Sequence, residues 1–361
     1  MAETIRQTGC TEESQYPRKS TSFISKLRRR FVVTRCSMGI IMKPRLKLLL
    51  VLLFVACLPH ILNVIRSAYA VSLAVWADHR LAPDDRTFLD ETQRLSDFNR
   101  KLGEPERDEW LYTQFEPGQT FAQYVQCDPV RPEGRRQTVY VQPIGEFTEA
   151  QDRIIRLSAK FLGVYFCCPV GILETLSADL VPAEARRHNP LSDAEQFDAP
   201  HILHEILEPR LPDDALASIA FTATDLWPGD EWNYVFGLAS IRHRVGVWSI
   251  ARFGDPEASP EEYLSCLRNT LRTATHETGH MLSMFHCIEN ECNMCGCGSI
   301  LEAERYPLYL CTECLAKLHW ATRVDSARRL NSLARFCEKH ELAAEQDYYR
   351  KAAARFSRDA R

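Results

Sequence analysis

A histidine–glutamate pair followed by a second histidine, His276-Glu277-Thr278-Gly279-His280, is the stretch of this sequence best suited to chemistry. Residues four apart share one face of an α-helix, so the imidazoles of His276 and His280 stand one turn apart on the same side. Glu277 sits beside the first, where a carboxylate reaches a metal-held water without ligating the metal. His286 follows six residues after His280, too far along for the same helix face, so the chain must turn sharply near Ser283 to bring it back. Three neutral imidazoles with an open fourth position are how a catalytic zinc is held, in contrast to a closed structural site. Such a zinc lowers the pKa of a water to about 7 and polarises a carbonyl. Glu277 would take the proton and return it to the leaving amine.

A second donor set follows at once. Cys287, Cys292, Cys311 and Cys314 form a CxxxxC…CxxC series, the spacing of a closed four-thiolate zinc. Set directly after His286, that metal would clamp the loop delivering the third histidine. Disulfide pairing is the rival in an oxidising compartment. Cys295 and Cys297 add two thiols beside the set, open to metal competition or to a disulfide.

The series His286-Cys287-x4-Cys292-x-Met294-x16-Cys311-x2-Cys314, after the HExxH motif, resembles the archaemetzincin branch of the metzincin metallopeptidases. Segments 225–237, 245–253 and 302–308 are also similar to that family, and the similarity spans about residues 88 to 335. The resemblance implies an α/β metzincin-like zincin domain with a twisted mixed β-sheet. An active-site helix would end at the zinc, and a small C-terminal subdomain would be stapled by a four-cysteine zinc site. It implies a zinc-dependent metallopeptidase with two zinc ions per chain. His276, His280 and His286 would hold the catalytic ion and Cys287, Cys292, Cys311 and Cys314 the structural one. Glu277 is the implied base, and Met294 the methionine that packs beneath the catalytic zinc. It also makes strand 245–253 the candidate edge for pairing with an extended substrate. Ser283 departs from the family pattern, which has glycine there; in a left-handed turn a non-glycine residue costs about 1–2 kcal/mol. Two rival functions stand beside this one: a zinc-stabilised binding protein without turnover, and a zinc amidohydrolase of non-peptide substrates.

The elements that must position these groups are legible upstream. Residues 137–143 alternate as a strand, 149–165 carry Ile154, Leu157, Phe161 and Val164 at helical spacing, and 170–176 read as a second strand. The charged, proline-containing stretch 181–198 reads as a surface loop. His201 to Glu205 superficially looks like a zinc motif, but its order matches neither HExxH nor the inverse, and it reads as an amphipathic helix face. Residues 217–224 form a strand and 225–237 a loop bearing the aromatic cluster Trp227, Trp232, Tyr234 and Phe236, expected to pack that loop. Ser259-Pro260-Glu261-Glu262 is a helix start, and Leu264, Leu267, Leu271 and Ala274 carry the stripe that would anchor the helix bearing His276. Beyond Val324, basic amphipathic helices place Leu330, Leu333 and Phe336 inward.

With 361 residues, 45% of them hydrophobic, one catalytic domain with extensions is the natural division. The expected parts are a basic tail (1–41), a hydrophobic signal or anchor segment (42–70), an N-terminal extension (71–136), the catalytic domain (137–322) and a C-terminal helical segment (323–361). A net charge of −4 gives no reason to expect nucleic acid as a partner; a peptide or protein substrate is the partner expected. Residues 1–50 nevertheless carry eleven Lys/Arg against three Asp/Glu, and an apolar run follows. That pattern reads as membrane association through residues of about 46–65, by signal peptide, lipoprotein or signal anchor, with the catalytic domain outside the cytoplasm. A cytoplasmic location is the alternative, and Met42 or Met38 are open as starts. Neither spacing nor composition fixes an oligomeric state.

Overall fold

The computed structural model describes residues 72–229 and 232–357. The chain divides into two units. Of the first, Met1–His79, residues 72–79 are described and are helical; the second, Arg80–Arg361, carries everything that follows. The apolar segment at about 46–65 lies outside the described residues. Among the described residues no helix is long and apolar enough to cross a membrane.

Strand β1 (Thr138–Ile144) pairs in parallel with β2 (Val170–Ile172) on one side and with β5 (Ala215–Thr222) on the other. Strand β2 is shorter than the alternation of 170–176 predicts, yet the contact with β1 resumes where Leu176 N donates to Pro143 O. Strand β8 (Val245–Ser249) continues the parallel set beside β5, and β7 (Gly237–Ala239) closes it antiparallel, giving the order β2-β1-β5-β8-β7. This corrects one expectation. Strand β8 is hydrogen-bonded on both sides, so the edge is β7. All residues of β5 and β8 are buried, as strands covered on both faces must be.

The stretch 181–198, expected as a loop, holds β3 (Arg186–His188) and β4 (Glu195–Asp198), and 225–237 begins with β6 (Asp225–Trp227). These form a separate three-stranded sheet in the order β3-β4-β6. Strands of three or four residues rich in charge show no alternation in sequence; pairing makes them. What fixes this sheet to the larger one is Asp225. Its buried carboxylate takes Arg252 Nε at 2.8 Å and Nη2 at 2.7 Å, and Gln196 Nε2 at 2.7 Å. Arg252 also lies 3.6 Å over the Tyr234 ring, so the aromatic segment is tied down as packing.

Helices α1 (Pro83–Thr92) and α2 (Phe121–Gln126) precede the sheet, and α3 (Glu149–Phe166) crosses from β1 to β2. The Thr148 hydroxyl and the Gln151 side chain cap each other's backbone N–H at the start of α3. Helix α4 (Pro260–Met281) begins where Ser259 Oγ accepts from Glu262 N at 3.2 Å; it buries Leu267, Leu271 and Ala274 and packs on β7, β8 and α3. Next come α5 (Ile300–Arg305), α6 (Thr312–Thr322), α7 (Ser326–Lys339) and α8 (Ala343–Ser357). Leu330 and Leu333 are buried, and Phe336 meets Phe161 of α3 with ring centroids 4.9 Å apart. Helices α1 and α2 pack against α6, so the segment before β1 belongs to the same unit as the sheet.

Removing the Asp225 carboxylate leaves Arg252 and Gln196 without their acceptor. Asp225→Ala should lower the unfolding free energy by about 2–3 kcal/mol, below the cost of breaking a fully buried pair because Arg252 is partly exposed. Denaturant unfolding of the variant checks this.

Candidate metal centre

Helix α4 ends in a turn that sets the whole site. Ser283 N donates to His280 O at 2.7 Å and Met284 N to Gly279 O at 3.0 Å, the paired bonds of a Schellman motif. The residue after such a helix end adopts a left-handed backbone, and Ser283 does so at φ 67°. Its conformational cost is about 1–2 kcal/mol. The serine hydroxyl answers that cost: it accepts from Val130 N at 3.1 Å and donates to Ile241 O at 3.4 Å. Gln119 fastens both sides of the turn, donating to Ser283 O at 3.1 Å and accepting from Phe285 N at 3.2 Å.

The same turn orients a histidine. Met284 O lies 2.7 Å from His280 Nδ1, and Asn293 O lies 2.7 Å from His276 Nδ1. A carbonyl accepts only, so each Nδ1 carries the proton and each Nε2 is a lone pair. Those two Nε2 atoms face each other at 3.0 Å. His286 is brought alongside, its ring centroid 5.2 Å from that of His276 and 4.8 Å from that of His280. One ligand atom from each of the three lies within 4.8 Å of the others. Protonation does not relieve the facing lone pairs. Burial first, then the neighbouring imidazoles, hold His276 well below the usual histidine range, and burial pushes His280 down to about 3. A cation with empty coordination positions does relieve them, and a zinc tetrahedron with nitrogen ligands has an edge of about 3.3 Å. The three residues fit zinc.

Glu277 is buried beside this cluster, and burial pushes its carboxyl up to about 8, against the opposing pull of Arg272. The carboxylate is pressed against edge strand β7: a Cβ built on Gly237 would meet Glu277 Oε1 at 2.6 Å. Met294 is also buried, with its sulfur where a Cβ on Gly279 would meet it at 2.5 Å. It therefore packs on α4 between the two histidines.

Sequence reasoning missed what the segment before β1 contributes. Glu116 accepts from His286 Nδ1 at 2.8 Å and from Trp110 Nε1 at 2.8 Å, so the carboxylate fixes the tautomer that leaves His286 Nε2 as a lone pair. The Trp110 ring meets His286 edge-on at 5.7 Å and stacks on Trp232 at 5.5 Å. Gly296 permits this approach, since a Cβ there would meet the Trp110 ring at 2.6 Å. Tyr124 Oη adds a bond to Leu282 O at 2.9 Å. The Glu116-Pro117-Gly118 run signals a turn, but nothing in its spacing shows which residue the carboxylate faces.

Cys287, Cys292, Cys311 and Cys314 converge as a buried group with sulfurs within 4.8 Å of one another, and none forms a disulfide. The Cys287 and Cys311 sulfurs are 3.8 Å apart, against about 2.05 Å in a disulfide and about 3.8 Å for the edge of a zinc tetrahedron with 2.3 Å Zn–S bonds. Met294 N and Cys311 N point at Cys292 Sγ, at 3.5 and 3.3 Å, as donors to a thiolate would. The four residues fit zinc as well. Cys295 stands outside the group, donating to Asn290 O at 3.2 Å, and Cys297 lies 3.8 Å from Arg272 Nη2; both are free thiols.

Comparison with known proteins gives a consistent set of likenesses. The model of peptidase family M54 matches residues 195–320. Archaemetzincin-2 of Homo sapiens is 29% identical over 262 residues, covering 64% of this chain and 72% of that protein. The solved archaemetzincin of Methanopyrus kandleri is 24% identical, with a TM-score of 0.43, and covers 54% of this chain and 99% of its own. That of Archaeoglobus fulgidus, complexed with malonate, is 25% identical, with a TM-score of 0.40, and covers 50% and 99% respectively.

Two variants separate the turn's strain from its bonds. Ser283→Ala keeps the left-handed backbone and loses the hydroxyl, and should cost about 1–2 kcal/mol. Ser283→Gly relieves the strain while losing the same bonds, and should fall within about 1 kcal/mol of the parent. Thermal unfolding of both reads the difference. Glu116→Ala, which frees His286 to rotate, should weaken zinc retention about 10–100-fold against a competing chelator.

Proposed function

Since the chain belongs to peptidase family M54, the archaemetzincins, and is a zinc metallopeptidase, we propose that it cleaves peptide bonds with Glu277 as general base. In this reading His276, His280 and His286 hold the catalytic zinc, and Cys287, Cys292, Cys311 and Cys314 hold a second, structural one. The observation that carries it is the pair of Nε2 lone pairs facing each other at 3.0 Å beside a buried carboxyl.

Zinc bound by three imidazoles supplies Lewis acidity, polarising a substrate carbonyl and acidifying water. The chain's own groups do the rest. Glu277, buried and with its carboxyl raised toward neutrality, accepts the proton of the attacking water and hands it to the departing amine. Asn293 O, Met284 O and Glu116 each hold an Nδ1 proton, which fixes the tautomer that turns the Nε2 lone pairs toward the metal position. Edge strand β7 is the docking line for an extended substrate, its outer backbone groups pairing with the peptide. Gly237 lets that line run directly past Glu277, and the arrangement is metzincin-like in this sense. Met294 supports α4 from below and ligates nothing.

Mass-spectrometric analysis of a peptide mixture treated with the zinc-loaded chain tests the reading. Glu277→Gln should lower kcat by about 10²–10⁴-fold with zinc content unchanged. Parent protein holding zinc but yielding no Glu277-dependent cleavage would sink it in favour of a binding protein, or of a hydrolase of non-peptide amides. Gly237→Ala drives a methyl into the Glu277 carboxylate and should cost at least about tenfold in kcat/KM.

A further inference from the structure

His204, which reads in the sequence as part of a helix face, has partners that the α4 centre does not use. Residues 199–210 form a helical segment whose middle, Ile202–Leu207, is π-helical, and Pro209 follows without an N–H to continue the ladder. Such widened turns are rare and recur at functional sites. His204 and Glu208 project from this segment. His243 comes from the turn between β7 and β8. His204 Nδ1 lies 3.1 Å from Glu208 Oε2, and His243 Nδ1 lies 2.9 Å from Glu208 Oε1. The two imidazoles meet edge to face, with centroids 5.6 Å apart. One donor atom from each of the three lies within 4.8 Å of the others.

We propose that His204, Glu208 and His243 form a further metal site, one that takes a single Zn²⁺ ion with water in the remaining positions. Two imidazoles and one carboxylate are the donor set of zinc and its late transition-metal neighbours; calcium and magnesium take oxygen ligands. The spacings of 2.9 and 3.1 Å are close to the edge of about 3.3 Å in a zinc tetrahedron. An ordinary surface ion pair joins one base to one carboxylate, whereas here a single carboxylate gives one oxygen to each of two imidazoles from separate elements. Those two contacts, the largest influence on it, hold the Glu208 carboxyl below its usual range.

The backbone beneath the donors is fixed. Ser240 Oγ accepts from His243 N at 3.2 Å, Ser240 N donates to Val245 O at 2.9 Å, and Ser218 N donates to Arg244 O at 2.8 Å. On the other side, Arg210 donates to Ile206 O at 2.9 Å. The side chains are 37–45% exposed, so the site exchanges with solvent and binds more weakly than a buried four-thiolate set.

The test uses the full zinc-replete chain, equilibrated at nanomolar free zinc and then titrated calorimetrically with Zn²⁺ alone. The parent should take up one more ion per chain in the micromolar range. A His204→Ala, His243→Ala double variant should lose that event while keeping the parent's peptidase activity and tightly held zinc. Glu208→Gln preserves side-chain volume and should weaken the event at least about tenfold; it decides the matter if the double variant does not fold. Failure of the parent to bind beyond the zinc it already holds overturns the proposal. So does uptake by the folded double variant, or by Glu208→Gln, equal to that of the parent.

Discussion

The end of one helix governs the centre. When α4 stops, its last carbonyls need donors, and the left-handed turn at Ser283 supplies them from the chain itself. The carbonyl that emerges from that turn, on Met284, is then placed to hold His280 Nδ1. Helix termination and histidine orientation are therefore one event: the geometry that satisfies the backbone also chooses the tautomer. A serine can occupy a position suited to glycine because its hydroxyl finds Val130 and Ile241, turning local strain into bonds with neighbouring elements.

Elements with long-range periodicity were the most legible in the sequence. Helix α4 announced both its start, through Ser259 and Pro260, and the face that carries its histidines; β1 and α3 matched their alternation and helical spacing. The four cysteines, apart in sequence, lie with their sulfurs within 4.8 Å of one another, and Met294 packs against Gly279 of α4. What escaped was anything created by pairing at a distance. The small sheet β3-β4-β6 is made of segments that look like loops because no residue pattern distinguishes them until Asp225 and Gln196 meet. The choice of edge strand failed for a similar reason. Strand β8 is apolar and regular, as an interior strand is, while three-residue β7 carries almost no signal.

The segment before β1 is the larger lesson. Its composition assigns it little, yet it supplies Trp110, Glu116, Gln119 and Tyr124 to the centre. Each acts through one or two polar atoms at the end of a side chain, and the neighbouring residues show no periodicity. Such contacts depend on where the segment lies against α6 and the Ser283 turn. That information is tertiary throughout.

His286 and Cys287 are consecutive, so one residue serves each of two side-chain clusters that could hold a metal. Their Cα atoms are joined by a single peptide unit of about 3.8 Å, which has no slack to absorb a displacement. Cys287 N is further pinned to Met294 O at 2.8 Å, so the methionine beneath the histidines is geared to the same link. Mechanically the two clusters behave as one rigid coupling with two sockets. Loosening of the cysteine socket would therefore be passed directly to the third histidine.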